Sequence, residues 1–189
     1  MRRIVVTEFV TLDGVMEDPG GSENTDRGGW AFQFERGPEG DKFKLDETLD
    51  AEAMLLGRKT YEGFAEAWPT RTDEDGFADR MNSMRKYVVS NTLESADWNN
   101  SILISGDVPE EVAKLKQQPG GDILVHGSAQ LVHTLMEHDV VDEYRLMIFP
   151  VLLGGGKRLF EDGVDRTALQ IVETKPAGEV VIVVLQRAT

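Results

Sequence analysis

Two short segments of this 189-residue chain combine residue types and spacing that suit an anion. The first is Gly57-Arg58-Lys59-Thr60, where an apolar run gives way to residues with helical spacing. Free backbone N–H groups, the positive end of a helix dipole, two cationic side chains and a hydroxyl would converge there. The same residues also suit a plain tight turn with solvated charges. The second is Gly127-Ser128-Ala129-Gln130, which has the same logic without cations. Three small residues allow close approach to a ligand, and Ser128 is placed to cap a helix. Alone, either turn reads equally well as ordinary capping. Two such turns on adjacent parallel strands imply more, because open α/β sheets bind ligands beyond the carboxyl ends of their strands. Together they suggest a dinucleotide. Neither turn is a Gly-x-Gly-x-x-Gly fingerprint, and Gly154-Gly155-Gly156-Lys157 lacks the first part of a Walker loop.

The elements that must position these turns follow from local pattern. Residues 4–10 are rich in β-branched side chains and lead into Asp13-Gly14, which predicts a buried first strand and a turn. Residues 20–40 are dense in Gly, Pro, Asp and Asn yet carry Trp30, Phe32 and Phe34, so they read as a long functional loop. A helix over 41–49, a strand over 51–56 and a helix over 58–67 come next, the last stopped by Trp68-Pro69. Strands are expected at 86–90, 102–105 and 122–126. A helix starts at Asp107 and ends at Pro119-Gly120-Gly121, and another opens at Gly127-Ser128. Residues 143–150 alternate as a strand, and 169–174 with 180–187 form a terminal antiparallel hairpin. Strands alternating with helices and closed by a hairpin imply one α/β domain over 1–189, its central sheet mostly parallel with an antiparallel edge.

Composition narrows the partners. With 34 acidic and 20 basic residues the formal charge is −14, which repels nucleic acid and anionic membrane surfaces. The apolar runs are too short for a bilayer span of about 30 Å. Glu8 and Asp13 interrupt what would have to be a signal peptide's apolar stretch, so a cytoplasmic location is expected. The chain has no cysteine, which excludes disulfides and thiolate chemistry, and any redox activity needs a borrowed cofactor. His133 and His138 lie five apart on a helix and share no face, so no metal site is assigned. The few cations concentrate at Arg58-Lys59 and at Arg85-Lys86, and the second pair reads as solvated.

Several of these segments resemble a known family. Leu56-Gly57-Arg58-Lys59-Thr60-Tyr61-Glu62 looks like the cofactor turn of dihydrofolate reductases. Residues 122–131, Val141-Asp142-Glu143 and residues 150–157 resemble the carboxy-terminal reductase domain of the bifunctional riboflavin-biosynthesis deaminase-reductase, with stand-alone relatives of that domain the nearest match. The resemblance implies a dihydrofolate-reductase-like three-layer fold with helices on both sheet faces, and an NADPH-dependent reductase of a small heterocycle. Reduction of the riboflavin pathway's phosphoribosylamino-pyrimidine is the specific activity it most suggests. Pteridine reduction, or non-catalytic nucleotide or FMN binding on the same fold, are the alternatives. It places Arg58, Lys59 and Thr60 at the cofactor phosphates, Ser90 and Asn91 near the adenosine 2′-phosphate, Gly127, Ser128, Ala129 and Gln130 around the pyrophosphate, and Val15 or Met16 against the nicotinamide. Arg58's planar fork suits the extra phosphate of NADPH.

Residues 13–34 become the lid that excludes water during hydride transfer. Asp41 takes the place of the ring-holding acid, by an ungapped count back from Gly57. Asp46 and Glu47 are its neighbours, and Asp13 is a second acid for proton transfer. Trp30, Asp46 and His126 are assigned to the substrate side, His126 standing where the riboflavin enzymes carry an acid. Arg27, Arg36, Lys157 and Arg158 are the cations left for a substrate phosphate. The resemblance also implies a homodimer, with residues 144–149, the 154–157 loop and the terminal hairpin as its surface.

Overall fold

The structure is a computed structural model that describes residues 1–188. Its centre is β1 (Ile4–Thr11), whose Ile, Val and Thr side chains suit a pleated strand packed on both faces, and which is buried at every residue but Phe9. β1 lies between β5 (Ile123–Val125) and β6 (Glu143–Phe149), parallel to both. Beyond β5 come β2 (Ala53–Gly57), β3 (Arg85–Val89) and β4 (Ser101–Ile104), all parallel. β8 (Val180–Arg187) joins β6 antiparallel and β7 (Leu169–Ala177) closes the edge, giving the order β4-β3-β2-β5-β1-β6-β8-β7. The expected parallel sheet with an antiparallel terminal hairpin is therefore present.

Alternation along β1 divides the core. Ile4, Val6 and Val10 face α4 (Val108–Gln117) and α5 (Ala129–Glu137), packing with Val112, Leu115, Leu131 and Leu135. Val5 faces the other layer with Leu56, Tyr61 and Met81, on the side of α2 (Arg58–Ala67) and α3 (Phe77–Ser83). Phe9 shares that face with α1 (Gly37–Asp50), where Phe43, Trp30 and Phe149 build a third cluster. Asp107 caps α4 through a hydrogen bond from Glu110 N at 2.9 Å, while Glu110 and Glu111 sit in its first turn.

Several local expectations need correction. α1 starts at Gly37, four residues before the expected 41, because Pro38 is tolerated in a first helical turn. α3 and a short 3-10 helix at Trp30–Gln33 were not expected. Asp73 takes the place of an apolar signal for α3, accepting from Phe77 N and Ala78 N ahead of its first turn. Lys86 is not solvated. It is fully buried, and its ammonium donates to the carbonyls of Asn82, Met84 and Asn99 at 2.7–2.9 Å while lying 4.1 Å from the centre of the Trp98 ring. β6 offers no outer edge for a partner, since β1 and β8 flank it and Tyr144, Leu146, Met147 and Phe149 are buried within the chain. No helix among the described residues is long and apolar enough to cross a membrane.

Lys86 ties the α3–β3 junction to the segment before β4. Truncation would orphan three carbonyls and open a cavity, so Lys86→Ala is expected to lower stability by about 3 kcal/mol in a urea unfolding series.

Candidate active site

β2 and β5 are hydrogen-bonded neighbours, and both end in turns on the same edge of the sheet. The turns touch: Gly57 N–H donates to Gly127 O at 3.0 Å. Neither position has room for a side chain. A Cβ on Gly57 would run into Ser128 Oγ and lie 2.9 Å from Ser128 N. A Cβ on Gly127, whose φ is +104°, would lie 3.0 Å from Thr60 Oγ1 and 3.7 Å from Glu8 Oε1. Two helix N-termini, those of α2 and α5, begin at these turns with no side-chain cap, which leaves their first N–H groups free for an anion. Ser128 therefore does not cap α5 as expected; its hydroxyl points across to Gly57. Arg58 and Lys59 are exposed at the start of α2, and Arg58 makes only a loose pair with Glu62 at 3.4 Å, worth little at a surface. Ala129 is buried and Gln130 exposed.

β3 ends beside β2, with Val89 opposite Gly57, so Ser90 and Asn91 fall on the same edge. Ser90 Oγ accepts from Thr92 N and Leu93 N, and Asn91 Oδ1 accepts from Gly106 N at 3.2 Å. Ser90 is thus engaged in shaping its own turn, while Asn91 remains exposed.

The segment after β1 is built into the body of the protein. Thr11 Oγ1 donates to Asp13 at 2.5 Å, and Leu153 N and Gly154 N donate to the same carboxylate at 3.2 and 2.8 Å. The Thr11 hydroxyl, followed by the Gly154 N–H, lowers the Asp13 pKa to about 2. An acid held ionised by three donors is a loop anchor, which corrects its assignment to proton transfer. Val15 and Met16 are both buried; Val15 bridges to Arg158, and Met16 packs into the cluster below α5. Trp30 also needs correction. It is 1% exposed, edge-on to Phe149 at 5.3 Å, with Nε1 donating to Glu17 O, so it pins the 20–40 loop to the core and has no exposed face to offer a substrate.

On α1, Asp41 and Asp46 point to solvent in ion pairs with Arg36 and Lys42, which corrects their assignment to a ring-holding role. The helix turns other side chains toward β1, one turn on. Lys44 Nζ donates to Thr7 Oγ1 at 2.8 Å and pairs with Glu47 at 2.5 Å, and Thr7 Oγ1 in turn donates to Glu47 at 2.8 Å. Arg145 of β6 lies 3.8 Å from the same carboxylate and is bound also to Glu143 and Asp122.

Two ionisable groups at this end have no such partners. His126 is half-buried, edge-on to Phe64 at 5.8 Å, and its Nε2 is sealed without a hydrogen bond. Burial, with Lys44 nearby, pulls its pKa down to about 3, so it is neutral. Glu8 is 8% exposed and its Oε1 also has no partner. Burial pushes the Glu8 pKa up to about 8, against the pull of Lys44 and with a contribution from Glu47. Glu8, Thr7 and Lys44 were missed as site residues. The signal was an acid within an otherwise apolar, β-branched strand, where an ionisable group needs a reason to be.

This is an open α/β sheet with two touching glycine turns at its carboxyl edge. The chain belongs to the RibD C-terminal domain family, whose model matches residues 2–183. It is 36% identical over 177 residues to the uncharacterized Bacillus subtilis (strain 168) protein YyaP, covering 92% of this chain and 88% of that one. It is 30% identical to YwjB of the same organism, also uncharacterized, over 95% of both chains. Among solved structures it is similar in fold to a candidate riboflavin biosynthesis protein of Shewanella sp. PV-4, with TM-score 0.73 and 18% identity over 99% of both chains. It is likewise similar to Acinetobacter baumannii RibD, with TM-score 0.65 and 14% identity over 100% of this chain and 58% of that one. A third is the Enterococcus faecalis dihydrofolate reductase complexed with NADP(H) and RAB-propyl, with TM-score 0.63 and 15% identity over 99% and 97%. The dihydrofolate-reductase-like fold is thereby shown.

Glu8 has a consequence for stability. Its folded pKa lies above its unfolded value, so folding keeps a proton that the unfolded chain has lost between about pH 4.5 and 8. Stability falls with rising pH across that window for this group. Glu8→Gln removes the effect and is expected to stabilise the protein by about 4 kcal/mol more at pH 8 than at pH 4.5. Urea unfolding at the two pH values measures the difference, and an equal effect at both would contradict the assignment.

Proposed function

We propose that this protein is a cytoplasmic NADPH-dependent reductase that delivers a hydride to a small heterocyclic substrate. The observation that carries the reading is the pair of touching glycine turns, each at a helix N-terminus and each unable to take a Cβ. Such a cradle fits the close approach of a pyrophosphate. Gly57, Arg58, Lys59 and Thr60 would hold one side of it, and Gly127, Ser128, Ala129 and Gln130 the other. Arg58, free of a tight partner, would take the 2′-phosphate of NADPH, with Asn91 within the same edge. The bound cofactor supplies the hydride; the residues around it orient the ring, exclude water and hold the proton the reduction consumes.

The substrate side favours a pyrimidine- or pteridine-like ring. Neutral His126 and the clamped Lys44 leave this side with little free charge. Family membership supports the riboflavin-pathway pyrimidine as the first substrate to test. The buried Val15 and Met16 segment and the loop anchored by Trp30 would form the wall that keeps water from the reacting carbon.

For assembly we propose a homodimer built on the terminal hairpin. Ile171 and Val172 on the edge strand β7, with Leu152 and Phe160 in the preceding segment, are exposed apolar side chains. Edge strands with such residues need cover.

Two measurements check these readings. Calorimetry is expected to give a micromolar dissociation constant for NADPH, weakened about tenfold or more by Arg58→Ala, since a charge-assisted pair to phosphate contributes on that scale; undetectable NADPH binding by the wild type would overturn the reductase reading. Light scattering after size exclusion is expected to show twice the 21.0 kDa chain mass. A monomer at micromolar concentration would remove the dimer.

A further inference from the structure

The buried ionisable side chains of this protein are nearly all matched. Arg2 meets Glu52 and Tyr87, Lys86 meets three carbonyls, and Glu143 meets Arg3, Arg145 and Gln186. Glu8 is different. It is nine-tenths buried, its Oε1 has no partner, and no ion pair reaches it among the described residues. A buried polar atom without a partner is uncommon and asks for an explanation.

Its surroundings limit the explanation. Lys44 is the near cation of α1, but its ammonium is already divided between Thr7 and Glu47. Glu47, also on α1, pairs with Lys44 and Arg145. From β5 comes the neutral His126, and from the start of α5 the uncharged Ser128 and Ala129. β6 sets Leu146 opposite Glu8 and commits the neighbouring Arg145 to Glu143 and Asp122. α2 contributes Thr60, whose hydroxyl faces Gly127 as Glu8 does, and its only nearby charges are the exposed Arg58 and Lys59. Among the described residues, none pairs with Glu8 or accepts its proton. Oε1 lies 3.7 Å from where a Cβ on Gly127 would stand, at the floor of the glycine cradle.

We propose that Glu8 is a further binding residue of this cleft: as a neutral carboxylic acid it donates a hydrogen bond to a phosphate-bearing ligand held between the Gly57 and Gly127 turns, so that only the protonated protein binds tightly. The inference rests on the dinucleotide reading above and adds a residue and a proton to it. An ionised carboxylate beside a phosphate in a low-dielectric pocket is repulsive, whereas a protonated one supplies a charge-assisted donor. Burial, which keeps the proton on Glu8 up to about pH 8, prepares it for that contact before any ligand arrives. The energetic penalty of an unsatisfied buried acid is then relieved by the ligand.

The test is NADPH binding to the intact protein from pH 7.0 to 9.5, a range in which the cofactor's 2′-phosphate, with its second pKa of about 6, is already about nine-tenths ionised at the lower end and changes little above it. Calorimetry in buffers of different ionisation enthalpy counts the protons taken up. Wild-type affinity is expected to fall about tenfold per pH unit above pH 8, with uptake approaching one proton per NADPH at the top of the range. Glu8→Gln, which keeps a donor but cannot titrate, is expected to bind within about threefold of wild type at pH 7, with a flat pH profile and no uptake. Infrared difference spectra of the wild type provide a second measurement that needs no variant: the protonated carboxyl band should shift on adding NADPH. NADPH binding with no pH dependence, with a dependence that persists in Glu8→Gln, or with no shift in that band, would overturn the proposal while leaving the dinucleotide reading intact. No NADPH binding at any pH would overturn both.

Discussion

The hydrogen bond from Gly57 N–H to Gly127 O joins the end of β2 to the end of β5 and so brings two helix N-termini to one place. That geometry requires both positions to lack a side chain. At Gly57 the obstacle is Ser128, and at Gly127 it is Thr60 together with a backbone φ of +104°. Each turn is thus shaped by residues of the other: Thr60 limits Gly127, and Ser128 limits Gly57. The sheet order follows the same need, since β2 and β5 must be neighbours although two strands and three helices separate them in sequence. Long-range parallel pairing of this kind is fixed by the runs of β1, β2 and β5, which are buried on both faces and cannot slip outward.

Charge is sorted along the sheet, paired at one end and unpaired at the other. At the amino ends of β1 and β6, Arg3, Asp122, Glu143 and Arg145 form a network in which each acid has a guanidinium partner, with Gln186 of β8 closing it at 2.7 Å from Glu143. Thr7, Lys44 and Glu47 continue that network toward the middle of β1. One residue further, at Glu8, the pairing stops. Buried charges without partners are strongly disfavoured, so the group that remains is neutral by protonation, and His126 beside it is neutral by losing its proton. The change from paired ions to unpaired neutral groups marks where the scaffold ends and the cleft begins.

Strand–turn–helix units were legible in the sequence because their signals are local. The apolar run before Gly57, the small residues at Gly127 and the Asp107 cap each report on a few neighbouring residues, and the structure forms elements there. What escaped were features fixed by distant contacts. Arg85 and Lys86 look alike as a charged pair, yet strand alternation sends one to solvent and the other into the layer of Trp98. Trp30 sits in a polar, glycine-rich loop, and only the far Phe149 shows that it is core. On α1 the choice between Asp41, Lys44, Asp46 and Glu47 depends on the helix's rotation over β1. The weak segregation of its apolar residues gave the sequence little to fix that rotation, and counting along the chain selected the exposed pair.

The substrate end follows from where free charge is left. Of the four cations considered for a substrate phosphate, Arg36 is taken by Asp41 at 2.6 Å and Lys157 lies 3.9 Å from Glu17, while Arg158 and Arg27 sit exposed in or against the 154–158 segment. All four lie on the outer parts of the molecule, none beside His126. An exposed cation near an acid attracts a phosphate weakly and loses that attraction in salt. The inner side, by contrast, holds the His126 ring and the Glu8 carboxyl group, both uncharged and each with a buried atom that has no partner. Such groups discriminate by hydrogen-bond pattern, because a ligand that fails to satisfy them leaves them buried and unpaired. In the proposed reductase a planar ring with alternating donors and acceptors would meet that demand, and a substrate tail carrying a phosphate would have to extend outward to the rim. In the proposed reductase recognition would therefore divide by chemistry, with dinucleotide phosphates at the glycine turns and Glu8, a neutral ring toward His126, and any further anion left to the surface.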